Sequence, residues 1–416
     1  MYNKITLPNG VRIVYEQIPY VRSASLGVWV GVGSRHEPSK MSGAAHFIEH
    51  MLFKGTSSRT AAQLAQFIDG VGGQVNAFTT KECTCYHGRV VDTRLREFAD
   101  ALADMLLRSN FAPQDIDSER NVIFEELDMC SDTPEDLVSE RLQRKMFGWG
   151  SLGRPILGTR ATLSSMTADS LREYKDTRYV GGNIVIALSG SFESDDIKHI
   201  SAIFSELPSG DIKRSKQAVY TPCRMSKRKA LEQNHIVLAF PGLATDDPRR
   251  YTLQLMSDIL GGGMSSRLFQ KVREERGLCY SLYSYASMFS DCGLFSITTA
   301  LGADSQPEAL RIISDELGCL CSDGITQEEL ELSLEQVRSS LLMALESTSA
   351  RMNRLGHGEL FLGGTITPDE VVTRYEAVTA ADIKTLAQEI LRVENMSVSI
   401  LGRCSADTPE LDIPLW

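Results

Sequence analysis

Alternating and periodic runs of hydrophobic residues along the chain predict short strands interleaved with longer helices. Apolar strands are predicted at 26–32 and 236–242, and each runs into a turn in which an acidic residue precedes proline, Glu37-Pro38 or Asp247-Pro248. Two further strand-like stretches lie at 74–90 and 281–301. Strands that follow one another directly favour antiparallel sheets with helices packed on one face, so the predicted fold class is α+β.

The same succession of elements occurs twice, at a spacing of about 210 residues. A helix that begins after a threonine leads to the strand 183–190 in the first half and to the strand 395–402 in the second. Long helices with acidic first turns begin near Pro113 and Gln327. These matches predict two structurally related domains from an internal duplication. The predicted division is an N-terminal domain at 1–208, a linker at 209–229 and a C-terminal domain at 230–416.

Composition indicates a globular protein in a reducing compartment. The 416 residues are 42% hydrophobic and 23% charged, and no apolar run approaches the roughly 20 residues that a membrane span needs. The nine cysteines are scattered and odd in number, which favours free thiols, and the first residues resemble neither a secretory signal nor a transit peptide. We therefore expect a cytoplasmic protein without a membrane partner.

The net charge of −11 makes nucleic acid an improbable partner, because phosphate binding needs clustered lysine and arginine. It is compatible with basic substrates.

The segment 45–52 has the pattern of a metal-binding helix. His46 and His50 are four residues apart and project from one face, where both can bind one ion. Glu49 lies on the same side and can reach a water bound to that metal. Zinc suits two imidazoles and a carboxylate with an open fourth position. The alternative interpretation is that both histidines are ordinary, partly buried residues, so the hypothesis needs a third ligand.

The helix that begins near Pro113 supplies three candidates for this ligand, Glu119, Glu125 and Glu126. Glu119 and Glu126 are seven residues apart, which places them two turns apart on one helix face. Glu125 points elsewhere and is expected to face solvent.

Taken together, His46-Phe47-Ile48-Glu49-His50 and the distal acidic segment 119–126 resemble the inverted-zincin metallopeptidases of the pitrilysin and mitochondrial processing peptidase family, in particular its short bacterial members. The resemblance covers most of the chain. It implies one Zn²⁺ per chain, with Glu126 as third ligand and Glu119 orienting a histidine. It also implies an endopeptidase that cleaves peptides or unfolded segments by attack of a metal-bound water, with Glu49 as general base.

The family's fold implies two related α+β domains that form half of a clamshell chamber. A chain of this length then needs a partner to close the chamber. We expect a homodimer, or a heterodimer with an inactive paralogue.

Two further segments match the family's pattern. The segment 73–79 resembles the edge strand on which substrate is laid, which makes Asn76, Ala77 and Phe78 substrate-binding candidates. Arg273 and Tyr280 resemble a pair from the second domain, in which the arginine holds the substrate backbone and the tyrosine donates to the developing oxyanion. On residue type alone, Asn76 is a turn or strand-end residue, Arg273 a surface charge and Tyr280 a core aromatic residue.

The second half does not repeat the metal-binding pattern. Positions 256, 259 and 260, which the repeat places opposite His46, Glu49 and His50, carry methionine, isoleucine and leucine. Two other functions remain open from the sequence: a catalytically silent scaffold, which resembles non-catalytic members of the same family, and a metal-dependent hydrolase of non-peptide substrates. The intact motif favours the enzyme over the scaffold.

Overall fold

In the computed structural model, which describes residues 2–148, 150–210 and 215–404, strands and helices alternate as the sequence pattern predicts. The strands are β1 Asn3–Thr6, β2 Arg12–Gln17, β3 Ser23–Val30, β4 Gln74–Thr79, β5 Thr84–Val91, β6 Ile184–Gly190, β7 Arg224–Arg228, β8 Asn234–Gly242, β9 Cys279–Met288, β10 Gly293–Leu301 and β11 Ser397–Gly402. The helices are α1 Ala44–Leu52, α2 Ala61–Val71, α3 Leu95–Arg108, α4 Pro113–Asp132, α5 Pro134–Phe147, α6 Arg160–Ser165, α7 Ala168–Asp176, α8 Ser194–Phe204, α9 Arg250–Gly261, α10 Gln306–Ser322, α11 Gln327–Ala344, α12 Thr348–Leu362, α13 Pro368–Glu376 and α14 Ala380–Ile390.

Two sheets with the same strand plan confirm the duplicated α+β architecture. The first has the order β1-β2-β6-β3-β5-β4 and the second the order β7-β11-β8-β10-β9. In the first sheet β2 and β6 are parallel, and in the second β7 and β11 are parallel. All other neighbouring strands are antiparallel. Apart from the extra strand β1, the two sheets therefore match strand for strand.

The compact units of the structure are not contiguous along the chain. The first consists of Met1–Asp128, Trp149–Lys216 and Leu342–Thr367, and the second of Met129–Gly148, Gln217–Leu341 and Pro368–Trp416. This division differs from contiguous domains at 1–208 and 230–416, because α5 belongs to the second unit and α12 to the first.

The main core of the first unit lies between its sheet and one layer of helices. Alternate residues of β3, among them Leu26 and Val28, point into this core, as period-2 side-chain alternation requires. Strand β6 is buried along its whole length, which is why its sequence is a nearly continuous apolar run. The helices of this layer contribute buried residues such as Phe47 and Ile48 of α1 and Phe98 of α3.

Helix α12 covers the opposite face of the first sheet, which the sequence pattern did not predict. Its Met352 and Leu355 form a second buried cluster with sheet residues that include Trp29. The fully buried carboxylate of Glu359 pairs with Lys4 at 2.6 Å and with Arg12 at 3.3 Å. A buried charge left without a partner costs several kcal/mol, so these ion pairs specify where α12 sits on the sheet.

The second unit builds its own core around β8, β10 and β11. Helix α5 packs on β11 and β8 and buries Val138, Leu142 and Met146. Helix α9 packs against β9, and α14 against α9 and α10. Within the described residues, no helix is both long and apolar enough to cross a membrane.

The close approach of α12 to the sheet gives a testable prediction for stability. A Cβ atom at Gly356 would lie 2.2 Å from Nε1 of the buried Trp29. Gly356→Ala should therefore destabilise the protein by about 1–3 kcal/mol in chemical denaturation, although alanine is the better helix former.

Gly70 in α2 is the matched control, because a Cβ at this position meets no atom within 4 Å. Gly70→Ala should keep or raise the unfolding free energy, by up to about 1 kcal/mol. Equal stability of the two variants would contradict the packing described for α12.

Candidate metal centre

Helix α1 presents its polar residues on one face because its other residues are buried. Phe47, Ile48 and Met51 are fully buried in the core, whereas His46, Glu49 and His50 are only partly buried. Spacings of three and four residues place these three side chains on one side of the helix. The predicted helical arrangement of the motif is therefore present.

The N-terminus of α1 is held by a buried carboxylate. The two oxygens of Glu37 accept hydrogen bonds from the backbone N–H groups of Gly43 and Ala45, both at 2.8 Å. These groups belong to the helix end whose N–H groups have no partner within the helix. Burial raises the pKa of Glu37 to about 8, and the two backbone hydrogen bonds oppose that rise. Glu37 thus sets the start of α1 next to His46.

His46, His50 and Glu126 converge on one point. His46 Nε2 lies 3.6 Å from Glu126 Oε2, and His50 Nε2 lies 3.6 Å from Glu126 Oε1. These distances are too long for ordinary hydrogen bonds. In a tetrahedral site with bonds of about 2.0–2.1 Å, neighbouring ligand atoms are roughly 3.3–3.4 Å apart. The three side chains are therefore spaced as ligands of a single metal ion.

No other group of three histidine, cysteine or acidic side chains converges in this way in the described part of the chain. Glu125, the competing candidate on α4, is exposed, in agreement with the helical phase expected for it. The metal-binding group lies entirely within the first unit.

A buried acidic residue orients His50. His50 Nδ1 lies 3.1 Å from an oxygen of Glu119, and the second oxygen of Glu119 accepts from Lys54 Nζ at 2.7 Å. A proton on Nδ1 satisfies the carboxylate and leaves the lone pair of Nε2 directed at Glu126. Lys54 offsets the charge of Glu119, which is only 5% exposed.

His46 is held in the neutral form by its surroundings. Burial lowers its pKa to about 3, and the nearby His50 contributes to the shift. Its Nδ1 atom is buried and makes no hydrogen bond within the described residues. Because a metal binds only the unprotonated imidazole, this environment keeps His46 available as a ligand at neutral pH.

Glu49 does not join the convergent group but lies beside it. One of its carboxylate oxygens, Oε2, accepts a hydrogen bond from the hydroxyl of Thr79 on β4. Burial raises the pKa of Glu49, and the Thr79 hydrogen bond opposes this. A partly buried carboxylate with a raised pKa is suited to accept a proton.

The substrate-binding candidates Asn76, Ala77 and Phe78 lie on β4, the edge strand of the first sheet. Ala77 packs against the helix-side core, and the Phe78 ring packs edge-on against Trp29 with 5.5 Å between ring centres. The Asn76 side chain is exposed. Among the residues that the structure describes, β4 pairs only with β5, so its outer edge can receive another strand.

Arg273 and Tyr280 belong to the second unit, where they contact each other. The Arg273 guanidinium lies 5.2 Å from the centre of the Tyr280 ring and 4.6 Å from that of Phe269. Tyr280 is 78% exposed, so it is not the core aromatic residue that its type alone indicates.

Sequence reasoning missed three residues around the site: Glu37, Lys54 and Thr79. Thr79 was detectable in part, because strand alternation from Ala77 places it on the α1 side of β4. The sequence pattern indicated Glu37 only as part of an acidic-Pro turn. Its role as a cap depends on how the chain turns back between Glu37 and the start of α1. The contact of Lys54 with Glu119 joins segments that are distant along the chain.

Family comparisons agree with this geometry. Residues 12–160 match the family described as "Insulinase (Peptidase family M16)", and residues 165–337 match "Peptidase M16 inactive domain".

Curated relatives match over nearly the whole chain. A Bacillus subtilis protein named "Uncharacterized zinc protease YmxG" is 42% identical over 97% of this chain and 98% of its own length. Proteins named as zinc proteases from Streptomyces coelicolor and Mycobacterium tuberculosis are 40% and 37% identical, each over 96% of this chain and over 89% and 92% of their own lengths.

Solved structures share the fold. A Pseudomonas fluorescens structure described as a peptidase M16 inactive domain superposes with a TM-score of 0.91 at 22% identity and covers 98% of this chain and 100% of its own. A protease from Helicobacter pylori gives a TM-score of 0.89 at 20% identity and covers 96% of this chain and 99% of its own. Together with the match to the curated relatives, these findings confirm the family predicted from the sequence: the chain belongs to peptidase family M16.

Proposed function

We propose that this protein is a zinc-dependent endopeptidase in which His46, His50 and Glu126 hold the metal and Glu49 is the general base. The observation that carries the proposal is the convergence of two imidazole nitrogens and one carboxylate. Each imidazole lies 3.6 Å from a Glu126 oxygen, one ligand atom from each of the three residues lies within 4.8 Å of the others, and Glu49 lies beside them. Two nitrogen ligands and one carboxylate are a donor set typical of catalytic zinc. The names of the curated relatives as zinc proteases support the same metal and reaction class.

Zinc bound by these ligands would lower the pKa of a water molecule to about 7 and polarise the scissile carbonyl. Glu49 then has two tasks. Its carboxylate accepts a proton from the attacking water and afterwards donates that proton to the leaving amine. Burial assists the second task, because it raises the pKa of Glu49 and so favours the protonated carboxyl that donates to the leaving amine.

The edge strand β4 is the proposed substrate platform. A peptide that pairs with the outer edge of β4 gains backbone hydrogen bonds that do not depend on its sequence. Such binding requires an extended segment, so peptides and unfolded polypeptides are the proposed substrates. Strand β4 also carries Thr79, which contacts Glu49, so a peptide on this strand runs close to the base.

Arg273 and Tyr280 are proposed to act on the substrate from the second unit. The guanidinium of Arg273 suits a backbone carbonyl, and the Tyr280 hydroxyl suits the developing oxyanion. Their mutual contact and the exposure of Tyr280 support these roles.

A mixed peptide library analysed by mass spectrometry tests the activity itself. The parent should cut internal peptide bonds, and a chelator should stop the cleavage. Glu49→Gln should keep zinc, because Glu49 is not a ligand, and should lower kcat by roughly 10²–10⁴-fold, as expected for loss of a general base. A Glu49→Gln variant as fast as the parent would assign the base to another residue.

Two neighbouring glutamates test the identity of the third ligand. Glu126→Gln should weaken zinc binding by more than the roughly 10–100-fold that follows loss of a group orienting a ligand. Glu125→Gln is the matched control and should bind zinc like the parent, because Glu125 is exposed. Zinc affinities measured by competition with a chromogenic chelator in the opposite order would place the third ligand at Glu125.

We also propose that two chains close one chamber. By the family resemblance a chamber needs four α+β units, and this chain supplies two. A homodimer is the preferred form, with an inactive paralogue as the alternative partner. Light scattering at micromolar concentration should give the mass of a dimer. A fully active monomer would contradict this assembly.

The proposed location is the cytoplasm. All nine cysteines are free thiols in the structure, which suits a reducing compartment. Cell fractionation with an antibody against the protein checks this, and recovery outside the cytoplasmic fraction would contradict it.

A further inference from the structure

Thr79 lies at the end of β4, where the edge strand meets the metal-binding helix. Val75 and Ala77 of the same strand pack against the core on the side of α1. Because side chains alternate along a strand, Thr79 points to that side too. Its hydroxyl reaches the carboxylate of Glu49.

Two acceptors lie within reach of the Thr79 hydrogen, the carboxylate of Glu49 and the hydroxyl oxygen of Thr84. The buried Thr84, which pairs with Thr79 across β4 and β5, donates its hydrogen to the carbonyl of Val32 at 2.9 Å. Its oxygen lies farther from that of Thr79, at 3.2 Å. The hydrogen of Thr84 is thus engaged, so the Thr84 oxygen could only accept from Thr79. The carboxylate of Glu49 is the nearer acceptor, and the Thr79 hydroxyl donates its hydrogen to it. An ionised carboxylate can only accept.

This contact fixes the carboxylate of Glu49. Oε2 is occupied by Thr79, so the other oxygen, Oε1, is the one left to exchange a proton. A glutamate side chain has three rotatable bonds and loses substantial entropy when it is held in one conformation. The Thr79 hydrogen bond keeps the carboxylate in place before substrate arrives, which is the condition for efficient proton transfer.

We propose that Thr79 is a positioning residue for the general base, a role that rests on the proposed function of Glu49. Strand β4 thereby has two tasks: its outer edge takes up the peptide, and its last side chain holds the group that acts on the peptide's scissile bond. Because one strand does both, the distance between the carboxylate of Glu49 and the backbone of the bound peptide is fixed by β4.

The test compares three substitutions at this position. Thr79→Val keeps the shape and removes the hydroxyl, Thr79→Ala removes both, and Thr79→Ser restores the hydroxyl. The valine and alanine variants should lower kcat by roughly 10–100-fold, as expected when a proton-transfer group is misplaced but still present, while KM and zinc content stay within about twofold of the parent. Thr79→Ser should recover most of kcat.

A second background separates positioning from structural damage. In Glu49→Gln the base is already absent, so adding Thr79→Val should change the residual rate by less than about twofold. A merely structural role would lower the rate in both backgrounds.

Three results would overturn the positioning role. They are a Thr79→Val variant with the kcat of the parent, a serine variant as slow as the valine variant, and a loss of zinc or a rise in KM that accounts for the whole effect. Failure of the proposed function gives a different result. A parent protein that binds zinc yet cleaves no peptide contradicts the proposed endopeptidase function itself. An active parent with an unaffected Thr79→Val variant contradicts the role of Thr79 alone.

Discussion

Two backbone N–H groups at the start of α1, those of Gly43 and Ala45, donate hydrogen bonds to the buried carboxylate of Glu37 and set where this helix begins. The placement of His46, Glu49 and His50 depends on that constraint, because all three follow the start of α1 within a few residues. A helix of nine residues gains little stability by itself. Its position therefore comes from the cap at one end and from the burial of its apolar face, including Phe47 and Ile48, along its length.

Three glutamates on or near this helix differ in environment, and the differences match the tasks proposed for them. Glu119 is buried and contacts both Lys54 and His50. Glu126 is partly exposed and faces both imidazoles, which suits a ligand. Glu49 is partly buried and held by a neutral hydroxyl, and burial raises its pKa. The environment of each glutamate, more than its residue type, thus distinguishes the proposed ligand Glu126 from the proposed base Glu49.

Local periodicity was sufficient to predict the elements that carry the site. The spacing of His46, Glu49 and His50 predicted α1, and the acidic first turn after Pro113 predicted α4. The matching sheet plans agree with the faint repeat in the sequence. The strand predicted at 26–32 is β3 at Ser23–Val30, a shift of the size expected for element ends.

The remaining features depend on contacts between distant segments. Helix α12 has glycine at 356 and a buried Glu359, so its sequence does not look like that of a core helix. Contacts with residues more than 300 positions away explain both features. Gly356 lies against Trp29, and Glu359 pairs with Lys4 and Arg12. The Thr79 contact with Glu49 likewise needs the strand and the helix to be side by side. A single sequence contains no signal for such pairings.

In the proposed metal site, one zinc ion sits among His46, His50 and Glu126. Diffraction data collected on either side of the zinc absorption edge from crystals of the parent protein test it most directly. We expect one anomalous peak per chain, with bonds of about 2.0–2.2 Å to Nε2 of each histidine and to a carboxylate oxygen of Glu126. A zinc peak bound by other residues, or peptide cleavage by protein crystallised without any metal at this position, would contradict it.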